Sequence, residues 1–440
     1  MPRITMDKDF QHDIQTPEMK SVKTAFLVGA YQSGNTKEAC DEYLVELERL
    51  CDTYGITVCG TISCPLKKIE ASTYLGSGKI EEIVEIIKDL SVDAVIFDEE
   101  ISPHQQRNLE KIFHKAVIDR TELILEVFAK RAQTKEAKLQ IELAKVRYQL
   151  PRLKRLWTHL SRQSAGGGAY LKGEGEKQIE IDRRIIKSRI TRLQRELEEV
   201  KEHRSTQRSS RLRSGVPTFA IVGYTNAGKS TLLKALTAAD VLVEDKLFAT
   251  LDTTTRKYTL PNRQEILLID TVGFIRKIPH TLVAAFRSTL EETVYTDILL
   301  HLIDVSHSSA EQQAEATYHV LKELGVEKRP IITVLNKIDR CTNPSIIHRL
   351  RIKYPKTVAI SALHGTGFDE LMEMMMKELS NLRKTVKLRI PMSHYALVSE
   401  LTREGKVLST EYDENDILLE VSIPSQLEYK VVPFIFNSHS

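Results

Sequence analysis

The sequence predicts an α/β protein: a P-loop domain, an N-terminal α/β domain carrying a basic antiparallel helical hairpin, and a small α+β C-terminal domain. Three observations carry this reading. Short apolar, β-branched runs alternate with helical stretches over residues 24–118 and again over 218–383, as parallel sheets covered by helices require. Two apolar seams with four-three spacing are separated by a glycine-rich segment, the pattern of paired helices. Gly223-Tyr224-Thr225-Asn226-Ala227-Gly228-Lys229-Ser230 reads G-x-x-x-x-G-K-[ST] between an apolar run and a helix start, the context a phosphate-binding loop needs. At 440 residues the chain exceeds one ordinary domain. The expected divisions are 1–120, 121–213, 214–384 and 385–440.

A hydrophobic content of 41% supports real cores, and the net charge of +3 is nearly balanced. Any affinity for nucleic acid must therefore come from a local patch, and stable DNA binding is not expected. Cys40, Cys51, Cys59, Cys64 and Cys341 are scattered and read as reduced thiols. The start of the chain, with Asp7, Lys8 and Asp9, lacks the apolar core of a signal peptide. There is no apolar run long enough to span a membrane. A cytoplasmic monomer is the expectation.

In the N-terminal domain, residues 1–20 are polar and read as frayed. Strands are predicted at 25–28, 56–62, 94–97 and 116–118, and helices at 37–50, 77–90 and 103–113, the last with Pro103 in its first turn. Two short matches imitate phosphate loops. Gly29 to Thr36 has the glycine spacing but Asn35 where the lysine belongs, and reads as a loop and helix cap. Gly76-Ser77-Gly78-Lys79 has the lysine without the spacing, and reads as a strand-to-helix turn.

From Thr121 the chain turns helical and basic. Leu139, Leu143, Val146, Leu150, Leu153, Trp157 and Leu160 form one seam. Ile179, Ile186, Ile190, Leu193, Leu197 and Val200 form the other. Between them residues 163–175, with glycines at 166–168, 173 and 175, should not stay helical, and Pro151 should kink or restart the first helix. The arms carry Lys130, Arg131, Lys135, Lys138, Lys145, Arg147, Arg152, Lys154, Arg155 and Arg162 going up, and Arg183, Arg184, Lys187, Arg189, Arg192 and Arg195 coming down. A long basic arm with a glycine tip suits insertion into folded RNA. Residues 201–216 read as a linker.

In the nucleotide domain Thr218 to Val222 is a buried parallel strand. The loop glycines let backbone N–H groups point inward at the start of a helix. Lys229 is placed to reach the β- and γ-phosphates and Ser230 to ligate Mg2+, with Thr231 next in the helix. Asp270-Thr271-Val272-Gly273 is D-x-x-G at a strand end; Asp270 is the second Mg2+ candidate and the Gly273 N–H the γ-phosphate sensor. Asn336-Lys337-Ile338-Asp339 is N-K-x-D. A carboxylate at Asp339 can accept both N1–H and N2–H of guanine, which adenine does not offer, so the substrate is GTP rather than ATP. Ser361-Ala362-Leu363 fits a loop backing the base. Phe248 to Arg256 is a threonine-rich stretch suited to a switch; Thr250 is assigned as its Mg2+ ligand from the F-x-T pattern, with Thr254 and Thr255 as alternatives. Lys229, Thr250 and Gly273 are the candidate catalytic groups. Phe274 stands where enzymes of the Ras type carry a water-orienting glutamine, so hydrolysis should be slow until a partner completes the site. In the last domain a strand at 387–390, a helix at 393–403 and a hairpin of 407–412 with 417–423 are predicted.

Tyr74 to Lys79, Ser102 to Glu110, Asp119-Arg120-Thr121, Leu139 to Ala144, Leu150 to Leu153, Trp157 to Gln163, Leu247 to Asp252 and Asp270 to Arg276 together resemble the HflX family of ribosome-associated GTPases. The resemblance covers most of residues 20–380. It implies binding to the large ribosomal subunit and its rRNA, with the hairpin tip near the peptidyl-transferase region. It also implies splitting of stalled or idle ribosomes, often under stress, with GTP hydrolysis stimulated by the particle. A GTP-controlled RNA-binding or ribosome assembly factor is the alternative. The tip departs from the family pattern at Tyr170-Leu171-Lys172, Glu174 and Lys177-Gln178, and Thr253 stands where the family commonly has proline.

Overall fold

The computed structural model describes residues 19, 21–32, 36–152, 172–213, 216–237, 246–248, 251, 253–277, 294–326, 329–413, 415–424 and 427–436. The chain divides into two units, Met1–Lys130 with Ala144–Ile190, and Arg131–Leu143 with Thr191–Ser440.

The first unit contains a four-stranded sheet of β1 (Thr24–Tyr31), β2 (Thr57–Pro65), β3 (Ala94–Phe97) and β4 (Ala116–Asp119) in the order β2-β1-β3-β4. Every pairing is parallel, because each strand is followed by a crossover helix. These are α1 (Lys37–Tyr54), α2 (Ser77–Leu90) and α3 (Pro103–Phe113). The two phosphate-loop imitations serve as helix starts. Thr36 caps α1, its hydroxyl accepting the Ala39 N–H at 3.2 Å, and Gly76 caps α2, where Lys79 pairs with Glu82 at 2.6 Å. Helix α1 runs a turn beyond the predicted end and stops at Gly55, whose φ of 101° favours glycine. Ser102 and Gln105 form a reciprocal cap on α3. Phe26, Val28, Ile83, Val95 and Phe97 are buried in the core; each such side chain contributes about 1.5–3 kcal/mol.

Helix α4 (Arg120–Arg131) follows β4 directly, then α5 (Lys135–Gln149) and a 3-10 turn at Leu150–Arg152. The helix thus ends just before Pro151, as its missing N–H demands. The seam residues Leu139, Leu143 and Val146 are buried, and so are Ile186, Leu193 and Leu197 on α6 (Lys172–Arg213). Leu153, Trp157 and Leu160, most of the glycine tip, and Lys154, Arg155 and Arg162 lie outside the described residues.

Three expectations about the arm are corrected. Residues 172–175, expected to break the helix, are helical despite Gly173 and Gly175. Residues 201–213, read as a linker, continue α6. Arg, a good helix former, is the commonest residue of the stretch, and Arg192–Glu196 and Arg195–Glu199 ion pairs brace the turns before it. Arg152 is not part of an exposed basic face. It is buried, stacks on the Tyr148 ring at 3.6 Å, and bonds to the Ile101 carbonyl at 2.7 Å and to Asp119 at 3.2 Å. Lys145 is likewise held by Glu126 at 2.8 Å. Burial lifts the Asp119 carboxyl above its usual range, with Arg152 opposing.

In the second unit a six-stranded sheet runs β10-β9-β8-β5-β7-β6. Its strands are β5 (Thr218–Gly223), β6 (Thr254–Thr259), β7 (Glu265–Asp270), β8 (Ile298–Asp304), β9 (Ile331–Asn336) and β10 (Thr357–Ala359). Only β6 of these is antiparallel to its neighbour. Helices α7 (Lys229–Thr237), α8 (Ala310–Glu323), α9 (Pro344–Lys353) and α10 (Phe368–Asn381) follow in the described chain. Phe219, Ile221, Leu300, Ile332 and Val334 are fully buried, as strands covered on both faces must be. The carboxyl ends of β5, β7 and β9 carry the nucleotide motifs, the edge at which open α/β sheets bind ligands.

Residues 383–424 form an antiparallel sheet β11-β13-β12, made of β11 (Arg383–Pro391), β12 (Lys406–Asp413) and β13 (Asp416–Pro424), with α11 (Tyr395–Glu404) packed on it and a short helix (Glu428–Val431) after it. The predicted hairpin and helix are present, and β11 is longer than the predicted strand. The five cysteines are free thiols.

Candidate functional site

Strand β5 ends at Gly223, and the loop to α7 takes backbone shapes that its residue types permit. Gly228 has φ of 96°, and a methyl there would come within 2.2 Å of Asn336 Nδ2. A methyl on Gly223 would meet the Leu302 carbonyl oxygen at 2.4 Å. Asn226 is left-handed at φ of 61°, a shape asparagine tolerates better than most residues. Tyr224, Thr225 and Ala227 are buried in the loop. Lys229, Ser230 and Thr231 open α7, whose first N–H groups face the loop.

The Lys229 ammonium is buried and donates to the carbonyls of Gly223 at 3.2 Å and Tyr224 at 2.8 Å. Burial draws its pKa down to about 8, against the pull of the Asp270 carboxylate. The Ser230 hydroxyl donates to Asp270 Oδ2 at 2.8 Å. Asp270, at the end of β7, is fully buried. A hydroxyl and a carboxylate in contact offer hard oxygen ligands, which suit Mg2+. Thr271 anchors the turn by donating to the Ile221 carbonyl at 2.7 Å. Gly273 packs so closely that a methyl would lie 2.8 Å from Thr225 Cγ2 and 2.9 Å from Lys229 Nζ. Phe274, 2% exposed, is a core side chain and has no means of orienting water.

Of the switch residues, Phe248 is buried with φ of 56°, and Thr250 lies outside the described residues. Thr254 and Thr255 lie in β6, Thr254 opposite Asp270.

The N-K-x-D motif is joined to the glycine loop through the Asn336 side chain. Asn336, 2% exposed, donates through Nδ2 to the Ala227 carbonyl at 2.8 Å and accepts the Ala362 N–H at 2.9 Å. Lys337 is left-handed and pairs with Asp304 at 2.7 Å. Asp339 accepts the Ser361 hydroxyl at 2.5 Å; that bond holds its carboxyl below the usual range. Ser361 and Ala362 are buried, while Leu363 is 63% exposed. The described parts of the motifs therefore meet along one edge of the sheet, with the Asp339 carboxylate at one end and the Lys229 ammonium at the other.

Two neighbours were not foreseen. Asp304 was signalled only as an acid at the end of an apolar strand. His364, 3.9 Å from Asp339, was signalled only as a polar residue following Ser361-Ala362-Leu363.

Comparison with known proteins bears on most of the chain. Residues 41–129 match the model described as GTP-binding GTPase N-terminal, 131–211 the GTP-binding GTPase Middle Region, and 218–337 the 50S ribosome-binding GTPase. GTPase HflX of Chlamydia pneumoniae is 51% identical over 414 residues, covering 93% of this chain and 88% of the relative. GTPase HflX of Escherichia coli K12 is 41% identical over 392 residues, covering 88% and 91%. A crystal structure of a GTP-binding protein from Sulfolobus solfataricus in complex with GDP is 29% identical, covering 82% of this chain and 99% of that one, with a TM-score of 0.43. With three family regions in order and about half of all residues shared over nearly the whole length of a relative, this chain belongs to the HflX family of GTPases.

Proposed function

We propose that this GTPase binds the large ribosomal subunit through its rRNA and separates the subunits of stalled or idle ribosomes under stress. The observation that carries the reading is the presence, on one chain, of a guanine-type site and a region matching the 50S ribosome-binding GTPase model. GTP hydrolysis and guanine-nucleotide binding follow from the family. The finer assignments are ours. Lys229 and the loop N–H groups from Gly223 to Thr231 hold the phosphates, the Gly273 N–H meets the γ-phosphate, and Asn336, Lys337, Asp339 and Ser361-Ala362-Leu363 hold the base. Ser230, Asp270 and Thr250 hold Mg2+, which when bound neutralises charge on the transferring phosphate, and Phe248 and Thr250 belong to the switch. The chain acts as a cytoplasmic monomer of four parts divided near residues 120, 213 and 384. Among the described residues no helix is long and apolar enough to cross a membrane.

With Phe274 in the core, the catalytic group that orients water comes from outside the motif. Ribosome binding through the basic arm then couples arrival at the target to turnover. The test is sedimentation of intact ribosomes with the full-length protein and a non-hydrolysable GTP analogue. Subunits should separate before hydrolysis, and deletion of residues 164–175 should abolish separation while sparing GTP binding. If the deletion variant splits ribosomes normally, the arm is not the lever. If the analogue-bound protein binds without splitting, the protein is a GTP-controlled RNA-binding or assembly factor whose hydrolysis times release.

A further inference from the structure

Tyr224 gives its main chain to the phosphate loop, but its phenol has no part in that task. The side chain is buried, 6% exposed, and its oxygen accepts the Arg276 N–H at 2.8 Å. Around this bond the D-x-x-G segment runs beside the loop as a short parallel ladder. The Thr225 N–H donates to the Phe274 carbonyl at 2.6 Å, and the Phe274 N–H donates to the Gly223 carbonyl at 3.0 Å. Tyr224 and Phe274 form the bridge between them. Phe274 and Ile275 are buried at 2% and 3%, and the chain leaves the ladder at Lys277, which is left-handed at φ of 54°.

The ladder constrains the two groups that a γ-phosphate needs. Gly273 is pressed against Lys229, and the ammonium is engaged by the Gly223 and Tyr224 carbonyls. The ammonium has three N–H donors and spends two on those carbonyls, so it can meet a γ-phosphate where it stands, and whether the Gly273 N–H can reach the same phosphate depends on the segment that the ladder holds. A diphosphate does not require Gly273 to move. Two of the three bonds in the ladder are main-chain bonds that almost any residue would make. The third is supplied by the side chain of Tyr224.

We propose that Tyr224 is a positioning residue, a latch that holds the switch backbone at Arg276 to the phosphate loop and thereby sets the balance between GTP and GDP. The inference rests on the nucleotide reading above. A ligand shifts such a balance only by its differential affinity for the two arrangements. Removing the phenolic oxygen lowers the cost of the arrangement that the triphosphate requires.

The test uses the full chain with Tyr224→Phe, which keeps the ring and removes the acceptor. Fluorescent GDP and a non-hydrolysable GTP analogue are titrated with Mg2+, and hydrogen exchange is followed in peptides covering 273–277. The analogue-to-GDP affinity ratio should rise about fivefold, the effect of one hydrogen bond, and the Arg276 amide should exchange faster. A ratio within twofold of wild type, with exchange unchanged, overturns the latch. The wild-type protein gives a second measurement that needs no variant. The analogue should deprotect the Arg276 amide and GDP should not; equal protection in both complexes overturns the latch. Failure of the wild type to bind GDP overturns the nucleotide reading and the latch with it. GDP binding with an unmoved ratio overturns the latch alone.

Discussion

Asn336→Ala tests whether the two halves of the nucleotide site are one structural unit. The amide joins the Ala227 carbonyl at 2.8 Å and the Ala362 N–H at 2.9 Å, and all three residues are nearly or fully buried. Alanine leaves a buried carbonyl and a buried N–H without these partners. Each such group costs about 1–3 kcal/mol, so the protein should lose about 2–6 kcal/mol before any relaxation. Urea unfolding without nucleotide measures that loss. GDP affinity should fall at least about tenfold, or ~1.4 kcal/mol, because binding must then order both loops. Asn336→Asp keeps the acceptor facing Ala362 but sets a carboxylate oxygen against the Ala227 carbonyl, so it should destabilise at least as strongly. An unchanged unfolding midpoint with weakened GDP binding would refute the reasoning and assign the amide to the ligand instead.

Three further outcomes follow from the geometry. Gly273→Ala places a methyl 2.9 Å from both Thr225 Cα and Lys229 Nζ, and turnover at saturating GTP should drop at least about tenfold; normal turnover would show that the segment moves freely. Asp339→Ala should lower the preference for GTP over ATP at least about a hundredfold in a competition assay, since a site built to accept two N–H groups owes its selectivity to them. His301 is fully buried in β8, edge-on to Tyr318, and burial holds its pKa down at about 3. The fold keeps this histidine neutral, so its contribution is complete above the unfolded pKa near 6.5. That contribution is lost at about 1.4 kcal/mol per pH unit as pH falls from there toward 3. Compared with His301→Leu, wild type should show this extra slope between pH 6 and 4; parallel stability curves would mean that the folded protein protonates His301 normally.

The nucleotide edge was legible because its chemistry demands particular residues at particular strand ends. Gly228 is required by both its φ of 96° and its nearness to Asn336, and Asp270 and Asp339 stand out as carboxylates at strand ends, each taking a serine hydroxyl. The N-terminal sheet was legible because its crossover helices carry ordinary caps and breaks. What stayed hidden depends on partners distant in sequence. The charge of Arg152 reads as an arm residue, and only the fold supplies Asp119 and Ile101, 33 and 51 positions away. The same holds for Tyr224 and Arg276, 52 positions apart, and for Asn336 and Ala227, 109 apart. Residues 201–213 misled for a different reason: Arg, Ser and Gln serve a linker or an exposed helix equally well, and apolar periodicity is too weak there to decide.

The most direct test of the account is GTP turnover by the full-length protein, alone and with purified large ribosomal subunits. Burial of Phe274 where a glutamine would orient water predicts slow turnover alone. It also predicts a rise of at least about tenfold with the particle, roughly 1.4 kcal/mol of barrier. Fast turnover alone, or no rise with the subunit, would contradict the claim that the ribosome completes this site.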